Sequence, residues 1–65
     1  MKAAPEYLRG ASLAREHFAD LNERQALEFI DHVARASYPR NVSQQISLKR
    51  GFLDQRKGLL KMPGR

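Results

Sequence analysis

The residues able to do covalent or metal chemistry are few and poorly placed for it. His17 and His32 are the only histidines and there is no cysteine. Neither histidine is accompanied by further ligands at the helical spacing that converges donors on one ion. Asp20, three residues after His17, and Asp31, beside His32, are carboxylates of the kind any charged helix offers. Ser12, Ser37, Ser43 and Ser47 lie outside the nucleophile-elbow and Ser-x-x-Lys patterns that activate a hydroxyl. The four glycines are scattered and form no phosphate-cradling loop. The plain reading is two surface or boundary histidines, with no catalytic, metal or cofactor site.

Binding chemistry is better represented. Residues 38–65 carry seven basic side chains against Asp54 alone, whereas residues 1–37 come close to neutrality, so the formal charge of +5 resides in the third helical segment and its flanks. Arg40, Lys49, Arg50, Arg56, Lys57 and Lys61 are the candidate nucleic-acid contacts, because clustered cations neutralise phosphates and release counterions. The stretch Asn41-Val42-Ser43-Gln44-Gln45-Ile46-Ser47, followed by Lys49-Arg50-Gly51, reads like the opening of a DNA-reading helix, with Ser and Gln toward base edges. Its spacing is one polar residue short of that arrangement, which turns everything after it by 100°. The competing reading is a solvated or ion-paired face. Methylene stems of Lys49 and Arg56 would cover apolar surface, and Glu23, Glu28 or Asp31 would supply counter-charges.

Three helices must position these residues. The first spans about residues 5–20, opened by Pro5 and Glu6, with Tyr7, Ala11, Ala14, Phe18 and Leu21 on one stripe. Asp20 with Glu23, or Asn22 with Gln25, has capping-box spacing for a second helix over about 22–37. That helix carries Ala26, Leu27, Phe29, Ile30, Val33 and Ala34 and stops at Tyr38-Pro39. The short connection predicts an antiparallel hairpin of these two helices. Asn41, three residues before Gln44, starts a third helix over about 42–61, halted by Pro63-Gly64; residues 1–4 and 62–65 are expected to fray.

The third helix bears two apolar stripes. Val42, Ile46, Leu53 and Leu60 fall within about 40° of one another, and Leu48, Phe52 and Leu59 lie roughly 100° round the cylinder. Ile46, Leu53 and Leu60 recur every seven residues, as do Phe52 and Leu59, the repeat that keeps a helix against a long neighbour. The hairpin covers one stripe. The other, taken as Leu48, Phe52 and Leu59, is left for a second copy, giving a homodimer, or for another protein.

Sixty-five residues with eight alanines among the hydrophobic set make one small, marginal domain. No apolar run approaches the ~18 residues of a membrane span, and Met1-Lys2-Ala3-Ala4-Pro5-Glu6 lacks the apolar stretch of a signal peptide. The expectation is therefore a cytoplasmic all-α protein with no membrane contact. It is a helical hairpin plus a longer basic third helix, homodimeric, acting without catalysis or cofactor as an interaction or regulatory protein. A protein partner is favoured; nucleic-acid binding through the basic helix is the alternative.

Overall fold

Pro5 opens the first helix because the first helical position needs no N–H partner and the ring already holds φ near its helical value. The computed structural model describes residues 4–61. It is all-helical, with α1 Pro5–His17, α2 Glu23–Ser37 and α3 Val42–Lys61, and no strand among the described residues. The segments 1–3 and 62–65, part of the ends expected to fray, lie outside the described residues.

The helix boundaries follow from local hydrogen bonding. α1 stops at His17, short of Asp20, where the Asp20 N–H turns back to the His17 carbonyl at 3.1 Å. Of the two possible capping boxes, Asn22 with Gln25 forms. Asn22 Oδ1 accepts from the Gln25 N–H at 2.9 Å, and Gln25 Oε1 accepts from the Asn22 N–H at 3.0 Å. Tyr38 leaves helical backbone before Pro39, as the proline ring requires. Its carbonyl then accepts from the Asn41 N–H at 3.2 Å and from Gln45 Nε2 at 2.7 Å. Asn41 Oδ1 caps α3 by accepting from the Gln44 N–H at 3.0 Å.

Packing is centred on α3. Both α1 and α2 lie against it, α1 over the larger surface, and the first two helices share little surface with each other. Two glycines make the α1–α3 crossing possible. A Cβ placed on Gly10 would fall onto the Leu48 carbonyl oxygen and come within 2.8 Å of the Phe52 nitrogen. One placed on Gly51 would fall onto the Tyr7 carbonyl oxygen and within 2.7 Å of its carbon. Ala11 and Ala14, also buried, extend this close approach along α1.

The core is small. Phe52, Ile30 and Leu48 are its largest fully buried side chains, packed with Ala14, Ala26 and Ala34 and flanked by Leu13, Leu21, Phe29, Val33 and Tyr38. The Cα envelope measures 40 × 30 × 13 Å, so the three helices form a flat layer. A layer this thin leaves outer faces of its helices in water.

The assignment of the two α3 stripes is the reverse of the expectation. Leu48 and Phe52, predicted to face a second chain, are 0% and 1% exposed within the single chain, and Leu59 is half-buried. The cause is the backbone contact at Gly10 and Gly51. It turns the Leu48–Phe52 side of α3 inward, between α1 and α2, and the opposite stripe outward.

Candidate interaction surface

The outward stripe is the most prominent apolar feature of the surface. Val42 is 65% exposed, Ile46 49%, Leu53 38% and Leu60 61%, all on one line of α3. Shallow clefts adjoin along this line. A cleft of about 350 Å³ uses Tyr7 beside Ile46 and Arg50. The next, about 380 Å³, shares Ile46 and Arg50 with it and reaches Leu53 and Lys57. A third, about 270 Å³, shares Leu53 and Lys57 with the second and ends between Leu60 and Leu27 of α2. Together they form one open trough along α3, with an aliphatic floor and a rim that carries Arg50 and Lys57 together with the carboxylates of Asp54 and Glu23. Leu27, 48% exposed, extends the floor onto α2.

The six candidate nucleic-acid contacts divide. Arg56 is not a surface cation. It is 9% exposed, its Nη2 donates to the Leu21 carbonyl at 3.1 Å, and its guanidinium sits 5.7 Å from the centre of the Phe18 ring. It ties α3 to the α1–α2 connection. Lys49 Nζ donates to Asp31 Oδ1 at 3.3 Å, the α2–α3 pairing that the competing reading of the charges anticipated. Asp31 also faces Arg35 at 3.3 Å. Arg40, Arg50, Lys57 and Lys61 are exposed. Of the two carboxylates lining the trough, Asp54 is engaged by the Tyr7 hydroxyl, which donates to its Oδ2 at 2.7 Å. That hydrogen bond, with some desolvation and the negative charge of Asp54, raises the Tyr7 pKa above its ordinary value, against a smaller lowering by Arg50.

The glutamines that resembled base readers are fasteners. Gln44 Nε2 donates to Glu6 Oε2 at 2.6 Å across to α1, and Gln45 holds the Tyr38 carbonyl. His17 is half-buried, its ring 4.9 Å from that of Phe29, while His32 is exposed. No His lines any of the three clefts. Among the described residues no group of three or more His, Asp or Glu converges. Among the same residues, no helix is long and apolar enough to cross a membrane.

Ile46, Leu53 and Leu60 were visible in the sequence as a seven-residue repeat, but they were assigned to the interior. The clue pointing the other way was Gly51, which lies closer round the helix to Leu48 and Phe52 than to that repeat. Comparison with known protein families, with curated proteins and with solved structures gives no match.

Proposed function

We propose that the chain is a small, non-catalytic interaction module of regulatory type whose working surface is the outward face of α3. One observation carries this reading. Four large aliphatic side chains stand exposed in one line on a helix whose other side already forms the core. Contiguous apolar surface of this kind marks a binding face. A homodimer of the kind expected from the seven-residue repeat would have to use this same face, because Leu48 and Phe52 are already covered.

The experiment compares two double variants in partner copurification. Replacing Ile46 and Leu60 by Gln removes apolar area at positions in solvent and is expected to abolish partner capture while leaving the thermal midpoint within a few degrees. Replacing Arg50 and Lys57 by Gln is expected to weaken capture without abolishing it. Capture that survives the Ile46/Leu60 change overturns the reading.

Nucleic-acid binding through Arg40, Arg50, Lys57 and Lys61 is the second reading, favoured by the exposure of these four cations. With four phosphate contacts at most, its log K should fall with log salt by no more than about 3.6 for duplex DNA. It would survive the Ile46/Leu60 variant and fail in the Arg50/Lys57 variant.

A further inference from the structure

The trough on α3 has a length, a floor and a charge, and together they describe an occupant. From Ile46 to Leu60 is fourteen residue rises, about 21 Å or four helical turns. Its floor repeats an aliphatic side chain every seven residues at Ile46, Leu53 and Leu60, the spacing that keeps a second helix in register alongside. Its rim places Arg50 and Lys57, each four residues after a floor residue, on one edge, with both side chains exposed. The acidic group on that edge, Asp54, is bonded to Tyr7, and Lys49 on the other edge is bonded to Asp31.

Resting on the reading of this face as the working surface, we propose that its occupant is an acidic amphipathic helix of a partner protein. The occupant lays an apolar stripe along Ile46, Leu53 and Leu60 and places carboxylates opposite Arg50 and Lys57. A helix in a groove is recognised by just such anchors at i and i+7 with charges at the rim. Charge decides against a second copy as the occupant. An antiparallel two-fold pairing through this face would set the Arg50 and Lys57 edges of two chains against one another, and either orientation brings together two chains of net charge +5; like charges facing across an interface cost affinity. The aliphatic floor decides against a phosphate backbone, which has no use for three exposed aliphatic side chains.

The test uses the full chain labelled with ¹⁵N and four probes. These are a synthetic 18-residue helix with Leu at heptad positions and Glu beside them, the same peptide with Lys in place of Glu, a 15-base-pair duplex, and vesicles containing phosphatidylglycerol. The Glu peptide is expected to shift the amide resonances around Ile46, Leu53 and Leu60 and to bind at least tenfold more tightly than the Lys peptide. Replacing Arg50 and Lys57 by Glu should reverse that order. Replacing Ile46 and Leu60 by Gln should weaken both peptides at least tenfold, and thermal melts of each variant check that it is folded. Leu53→Gln is the reserve if either double variant fails to fold.

Equal affinity for the two peptides, or tighter binding of the duplex or the vesicles, overturns the acidic-helix proposal. If the Lys peptide binds at those same resonances as tightly as the Glu peptide or more tightly, or if self-association in the absence of any probe shifts them, the face remains a docking surface and only the acidic partner falls. If no probe shifts them and the chain stays monomeric, the reading of the face as a working surface falls with the proposal.

Discussion

Arg56 shows how far a side chain's role depends on what surrounds it. In the sequence it is one cation of a basic helix; in the fold it is buried, donating to the Leu21 carbonyl and lying over Phe18. Removing it would leave that carbonyl short of a donor and open space beneath Phe18. Arg56→Gln is therefore expected to cost about 1–3 kcal/mol, whereas Lys57→Gln, one residue away and exposed, should stay within about 0.5 kcal/mol. Urea unfolding of the two variants checks the contrast, and equal midpoints would return Arg56 to the surface. Tyr7 makes a pH-dependent contribution. Its pKa is raised, chiefly by the hydrogen bond to Asp54, so the folded chain favours the neutral phenol. The stabilisation from this group is complete below the unfolded phenol value, about 10, and is lost as pH rises through the folded value. Tyr7→Phe should thus lose thermal stability less steeply than the parent between pH 9 and 11. Parallel losses in the two proteins would show that the Tyr7–Asp54 bond contributes nothing to folding.

At the scale of the element, the two glycines seven residues apart on α3 separate structure from decoration. Gly51 meets the Tyr7 backbone, and Gly58 meets nothing within 4 Å. An alanine in a helix interior is favoured over glycine by about 1 kcal/mol, so Gly58→Ala should raise stability by roughly that amount. The same change at Gly10 or Gly51 pushes a methyl group into the backbone of the facing helix. It should lower stability by about 1–3 kcal/mol despite the better propensity. Thermal melts that rank all three variants alike would remove the close crossing of α1 and α3. The sequence marks both α3 glycines equally, because side-chain period tells which residues share a side but not how far along a helix its neighbour crosses. The helices themselves were legible. Pro5, the Asn22–Gln25 box, Tyr38-Pro39 and the Asn41 cap are local signals, and each acts in the fold as its chemistry requires. What pairs with what was not legible, because both stripes of α3 have core composition and only the glycine contact, made between residues about forty apart, selects one.

For the whole molecule, the consequence is a thin layer with three large, fully buried side chains and an aliphatic line left outside. Domains of this size hold only a few kcal/mol in reserve, so the two stripes should respond to charge in opposite ways. Phe52→Glu would bury a carboxylate among Ile30, Leu48 and the core alanines, while the buried cation one turn further along α3, Arg56, is already held by the Leu21 carbonyl and the Phe18 ring. Burying an unpaired charge costs several kcal/mol or forces protonation, more than so small a core supplies, and the variant should be unfolded at neutral pH. Leu60→Glu, at a position 61% exposed on the outward line, leaves the core untouched and should keep its helical circular dichroism and a cooperative melt. It also places a carboxylate near Lys57 and Lys61 rather than in a dry interior, and the resulting surface attractions are small and of favourable sign. The pair discriminates between the two possible assignments of α3, because each stripe is tested by the same substitution on the same helix. A folded Phe52→Glu together with an unfolded Leu60→Glu would mean that the Val42–Leu60 line is the core. The docking face would then be Leu48, Phe52 and Leu59, where the seven-residue repeat first suggested a second chain.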